Sequence, residues 1–158
     1  MDGGARGNPG PAGAGAVVYD PAGTKRATRA FPLGVLTNNA AEYEGLLRGL
    51  ALAREAGARR LEVHSDSELV VRQLEGAYKI RAPHLRALAE RARTALAGFE
   101  EARLVAIPRE KNREADRLAN EAMDEVERVS ANRAVRGSRG GPGLAGAAGL
   151  ADDPEHSH

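Results

Sequence analysis

Apolar residues along this chain change period several times, and the changes mark out its elements. Tyr43, Leu46, Leu47 and Leu50 fall at i, i+3, i+4 and i+7, which predicts a helix over residues 38–56, capped by Thr37 or Asn38 and stopped at Gly57. A helix-like run follows with Leu69, Val70, Val71 and Leu74. Leu85, Leu88, Ala89, Ala92 and Leu96 form a third stripe, opened by Pro83 and closed by Gly98. Ala115, Leu118, Ala119, Ala122 and Val126 give a fourth, over residues 112–127. Between these lie strand-like segments: 14–19 and 25–33, joined as a hairpin by the turn Asp20-Pro21-Ala22-Gly23, then 60–66 and 101–107.

Two stretches lack periodicity. Residues 3–13 hold five glycines and two prolines and read as a loop, neither helix nor central strand, with Asp2 at its mouth. From Val129 onward there are six glycines and no periodic apolar face, so residues 129–158 read as a disordered tail behind a domain over 1–128. A hairpin followed by alternating helices and strands predicts an α/β fold: a mixed sheet with helices on both faces.

Composition narrows the class. A chain of 158 residues is about one domain with a sizeable core. It has no cysteine, which excludes disulfides and thiolate metal sites and fits a reducing compartment. No run approaches the ~18 apolar residues of a membrane span, and the N-terminal stretch is not a signal peptide. The expectation is a soluble, cytoplasmic protein. Net charge is only +1, but residues 72–93 carry six Lys or Arg (Arg72, Lys79, Arg81, Arg86, Arg91, Arg93) against Glu75 and Glu90. That stretch is either a solvated helix face or a polyanion contact.

Candidate chemistry lies in four scattered carboxylates. Asp2, Glu42, Asp66 and Asp116 each sit at a strand end or at the margin of a helix's buried face. Singly, each has an ordinary reading: a terminal charge for Asp2, a helix-dipole partner for Glu42, an N-cap for Asp66, a partner of Arg113 or Asn120 for Asp116. Together, oxygen ligands of this kind suit hard divalent cations.

The segments around them, DGGARGNPGPAGAG, TNNAAEYEGLLRGL, HSDSELVVRQL and PREKNREADRLANEA, agree in order and spacing with the type 1 ribonuclease H family, which the chain resembles over residues 2–123. The likeness is to the short bacterial and archaeal branch without a basic protrusion. It implies a ribonuclease H-like fold, a five-stranded mixed sheet whose first three strands are antiparallel. It also implies a monomeric endoribonuclease that cuts the RNA strand of RNA/DNA hybrids by a two-metal-ion mechanism, leaving 5′-phosphate and 3′-hydroxyl ends. Asp2, Glu42, Asp66 and Asp116 would be the catalytic ligands of two Mg²⁺ ions, with Mn²⁺ as a possible substitute. Asn8, Asn39, Ser67 and Glu68 would contact the minor groove, where 2′-hydroxyls are displayed. Thr37 and Asn38 would hold a phosphate of the DNA strand. Lys79 and Arg81 would meet its backbone, or are solvated charges.

Two features depart from the family pattern. Many relatives have a histidine in the loop before the last helix; here the loop reads PREKN, leaving Arg109 or Glu110 for that role unless both are solvated loop charges. Only Met1 precedes Asp2, so the first strand reads as truncated, with exposed neighbouring edges and a loosened Asp2. The expected alternatives are therefore a hybrid-binding or poorly active module, or a fragment of a larger fused hydrolase. His64 reads as structural, and His156 and His158 lie in the tail.

Overall fold

A computed structural model describes residues 1–140, with side chains described to 133. The element order is β1 (Asp2–Ala5), β2 (Gly10–Tyr19), β3 (Lys25–Leu36), α1 (Asn38–Glu55), β4 (Arg60–Ser65), α2 (Glu68–Leu74), α3 (Pro83–Ala97), β5 (Glu101–Ala106), a 3-10 turn (Arg109–Lys111) and α4 (Arg113–Gly140). The first three strands form an antiparallel sheet in the order β1-β2-β3, and β4 pairs in parallel with β5. The two sheets meet where the Met1 amino group donates to the His64 carbonyl at 2.8 Å. Among the described residues no helix is long and apolar enough to cross a membrane.

The glycine-rich stretch is not a loop. Its first residues are β1, and from Gly10 it is β2, with Asp2 opposite Gly15 and Gly3 opposite Ala14. Glycine serves here as a spacer. A Cβ at Gly13 would lie 2.7 Å from the Ala119 carbonyl and the Ala122 Cβ, and one at Gly15 would lie 2.6 Å from the Leu118 Cβ. These distances place the backbone of α4 directly on the sheet. The alternate residues Ala14 and Ala16 face α1, beneath Gly45 and Gly49. Only the turn between the strands needs glycine's conformational freedom, at Gly7 with φ 104°.

Helices therefore cover both faces of the three-stranded sheet, packed through Gly and Ala. With aromatic residues at only 3% of the chain, close approach replaces bulk. Tyr43, fully buried on α1, is the largest side chain at the centre of a core with Leu46, Leu50, Val63, Val70, Leu88 and Ala92. On the other side, Ala115, Leu118, Ala119, Ala122, Met123 and Val126 of α4 bury against the sheet.

The last helix runs past residue 127, where its apolar stripe ends, to Gly140. Residues 127–133 are exposed, so local backbone bonding and helix-favouring Ala and Arg carry the helix there without burial. The remainder of the expected tail, with His156 and His158, lies outside the described residues.

Two consequences were expected of a short first strand, open neighbouring edges and a loosened Asp2, and they come out differently. Neighbouring edges are open: Val17 and Tyr19 of β2 and Leu61 and Val63 of β4 line a cavity of ≈630 Å³. Asp2, however, is not loosened. It is 6% exposed, held in the ladder opposite Gly15, and the Met1 carbonyl accepts from Asn112 Nδ2 at 2.8 Å.

Candidate active site

Four elements deliver the four carboxylates. Asp2 opens β1, Glu42 lies on the second turn of α1, Asp66 follows the last residue of β4, and Asp116 sits in the first turn of α4. They line one cleft of ≈410 Å³ together with Asn38 and Arg109. The larger cavity beside β2 and β4 contains none of the four. Size does not locate chemistry here; the carboxylates do.

Local bonding fixes Glu42 and the turn that carries Asp66. Thr37 caps α1, its Oγ1 accepting from the Ala40 amide at 3.3 Å, so Glu42 emerges at a defined angle. Ser67 caps α2, its Oγ accepting from the Val70 amide at 3.3 Å. The same hydroxyl donates to Glu42 Oε2 at 2.6 Å. Asn38 Nδ2 donates to Glu42 Oε1 at 3.4 Å. The Ser67 amide donates to Ser65 Oγ at 3.1 Å, closing a turn around Asp66.

The electrostatics are those of crowded anions. Burial, then the charge of Asp66 and the hydrogen bonds that the protonated Asp2 carboxyl donates to Asp116 and Asp66, push the Asp2 carboxyl up to about 8. Burial also raises Glu42, opposed first by the Ser67 hydroxyl. The Arg109 guanidinium lies 3.8 Å from Asp116 Oδ1 and also favours the charged form of Glu42. Among the described residues, no three His, Asp or Glu side chains close on one point as a finished metal cage. An all-oxygen, mutually repelling set is still the donor chemistry of a hard dication, whose charge would offset the burial and repulsion that raise the Asp2 carboxyl. Mg²⁺ in particular completes its shell with water and substrate phosphate.

The other sequence-predicted residues divide. Asn8 lies in the β1–β2 turn, where its Oδ1 accepts from the Asn38 amide at 3.0 Å. Asn38 Oδ1 in turn accepts from the Ala5 amide at 3.2 Å. Asn39 is half-buried at the start of α1, and Glu68 is exposed at the start of α2. Lys79 and Arg81 stand on the loop after α2, away from the cleft, and Glu110 is absent from its lining. Three residues were not singled out from sequence. Arg6 binds Asp124 Oδ1 at 2.6 Å and Asn120 Oδ1 at 3.1 Å, clamping the Asn8 turn to α4. Asn112, the polar residue before α4, ties that helix to β1. Gln73 accepts from the Tyr43 hydroxyl at 2.7 Å. A cap-type Asn before a helix was a readable signal; the other two partnerships are non-local.

Several known proteins resemble this chain in sequence and in fold. The model of the reverse transcriptase-like family matches residues 1–122. The chain is 46% identical over 124 residues to the bifunctional protein Rv2228c of Mycobacterium tuberculosis, covering 78% of this chain and 34% of that protein. It is 43% identical over 125 residues to ribonuclease HI of Halobacterium salinarum, covering 79% of this chain and 63% of that protein. The chain thus spans about a third of the mycobacterial relative's length and under two thirds of the archaeal one. The structure of the archaeal protein superposes with a TM-score of 0.76 at 43% identity, covering 78% of this chain and 94% of that one. That of LC11-RNase H1 in complex with an RNA/DNA hybrid superposes with a TM-score of 0.73 at 43% identity, with the same coverage.

Proposed function

The chain belongs to the ribonuclease HI family, and from that premise we propose that it is an endonuclease hydrolysing the RNA strand of RNA/DNA hybrids. The observation that carries this reading is the convergence of Asp2, Glu42, Asp66 and Asp116 from four separate elements into one cleft. In support, a related structure at 43% identity has such a hybrid bound.

Asp2, Glu42, Asp66 and Asp116 hold two divalent cations in this reading, Mg²⁺ or Mn²⁺. When bound, such ions supply an activated water and stabilise the leaving oxygen, giving 5′-phosphate and 3′-hydroxyl ends. The chain's own groups orient that set. Ser67 and Asn38 aim the two oxygens of Glu42. Arg109, at the rim beside Asp116, is placed to attract a phosphate, whereas Glu110 is not.

Substrate selection falls to the neighbouring turns. Thr37 and Asn38 present the N-terminus of α1, a site for a DNA-strand phosphate. Asn8, Asn39, Ser67 and Glu68 are assigned to the minor groove. Asn8 Oδ1 is spent on Asn38, so Asn8 reads through its amide nitrogen, while the Ser67 hydroxyl and amide are spent on Glu42 and Ser65 and leave its carbonyl oxygen, shared with the Val71 amide, to face the groove. Lys79 and Arg81 meet the DNA backbone farther out. All four carboxylates come from one chain, which supports a monomeric working unit with its catalytic domain over residues 1–128.

The test is strand-labelled RNA/DNA hybrid, duplex DNA and duplex RNA incubated separately with the protein and Mg²⁺. Cutting confined to the RNA of the hybrid, with 5′-phosphate ends, is expected. Equal cutting of duplex DNA would overturn the reading.

A further inference from the structure

One buried polar link joins the carboxylate cleft to the loop that carries Lys79 and Arg81. Gln73, on the last turn of α2, is 6% exposed, and Tyr43, next to Glu42 on α1, is fully buried. The Tyr43 hydroxyl donates to Gln73 Oε1 at 2.7 Å, and Gln73 Nε2 donates to the Lys79 carbonyl at 3.4 Å. Arg93 Nη2 of α3 donates to the Gln73 carbonyl at 3.2 Å. The amide orientation follows from its partners: turned over, its oxygen would face the oxygen of Lys79.

The loop has few other fixings. Beyond Gly76, at φ 83°, the Ala77 and Tyr78 amides return to the Arg72 carbonyl, and Arg86 Nη2 holds the Arg81 carbonyl at 3.3 Å. Residues 75–79 are exposed, and Tyr78 is an exposed aromatic at its tip. Between those two ends Ile80 packs on the core, and among the described residues Gln73 is the hydrogen-bonding side chain that ties the Lys79 backbone towards Tyr43 and Glu42.

We propose that Gln73 is a positioning residue that holds the Lys79 loop at a fixed distance from the carboxylate cleft, and so sets affinity for the DNA strand of the hybrid. This rests on the hybrid-cleaving reading above. Gln73 touches no substrate; it acts through the Lys79 backbone. A backbone already held in place spares the loop's ordering cost when the Lys79 ammonium meets a phosphate, so releasing it weakens binding and leaves the chemical step alone.

The experiment is a cycle of Gln73→Leu and Lys79→Ala, singly and together, with kcat and KM for hybrid measured across a salt series. Each single variant is expected to raise KM several-fold with kcat changed by less than about twofold, the signature of lost uniform binding. Each is expected to lower the slope of log KM against log salt by about 1, one phosphate contact. The double variant is expected to match Lys79→Ala alone. Multiplying effects, or a Gln73→Leu variant that lowers kcat with KM and salt slope unchanged, would overturn the proposal. If Gln73→Leu does not fold, Tyr43→Phe keeps the ring, removes the bond that orients the amide, and replaces it in the cycle under the same criteria. Unaltered protein that fails to cut hybrid at all would refute the functional reading; additive variants in an active protein would refute this inference alone.

Discussion

Replacing Gly15 by alanine tests the link between packing and catalysis most sharply. The new methyl would lie 2.6 Å from the Leu118 Cβ and 2.8 Å from the Ala119 amide nitrogen, whereas carbon atoms rest about 3.5–4.0 Å apart. Backbone atoms of a helix cannot swing aside, so α4 must retreat from β2 by about 1 Å. Overpacking of this kind costs about 1–3 kcal/mol. At roughly 3–4 °C per kcal/mol for a domain of this size, Tm should fall by ~3–12 °C. Asp116 rides on the same turn of α4, and displacements of ~1 Å at a reacting centre cost on the order of 10²-fold in rate. Thermal unfolding and hybrid cleavage measured side by side are the assay. Gly49→Ala is the control: on α1 its methyl meets the Met1 Cβ at 3.4 Å and the Ala16 Cβ at 3.5 Å, ordinary contacts. It should leave cleavage unchanged and stabilise the helix by up to ~1 kcal/mol. A Gly15→Ala protein with unaltered Tm and turnover would refute the claim that glycine is there to admit α4.

Ser67→Ala removes both the cap of α2 and a donor to Glu42, and should cost about 1–2 kcal/mol in urea unfolding, while the Glu42 carboxyl, read by NMR titration without metal, moves further up. The raised Asp2 carboxyl gives metal-free protein a stability contribution that is full below about 3.8 and lost as pH rises through about 8, because the folded state holds the proton longer. Asp2→Asn should flatten that part of the stability–pH curve and leave the metal-free protein more stable than wild type at pH above 8, and Mg²⁺ should raise the Tm of wild type at that pH more than that of the variant.

The helices were legible because their signal is local: Tyr43, Leu46 and Leu50 are spaced by the geometry of the helix they build. The carboxylates were legible only through the motifs around them, since nothing near Asp2 in sequence announces Asp116. The glycine-rich strands carry the sequence signature of a loop for a physical reason. Gly15 is a poor strand residue in isolation and a necessary one beneath Ala115, a neighbour 100 positions away. The helical continuation of α4 beyond Glu127 has no sequence signal because residues 128–133 are exposed and carry no apolar stripe. Gln73 and Arg6 lack one because their partners, Tyr43 and Asp124, lie on other elements. Polar residues that buttress a site leave no periodic trace.

The central claim, that the carboxylate cluster cuts the RNA strand of a bound hybrid, is tested most directly by Asp66→Asn. The substitution keeps the side chain's size in the turn closed by Ser65 and Ser67 and removes one anionic oxygen ligand from the cleft. Hybrid binding measured by fluorescence anisotropy should persist within about threefold, since affinity comes mainly from phosphate and groove contacts, while RNA cleavage in Mg²⁺ should disappear. Cleavage that survives in Asp66→Asn would contradict the account.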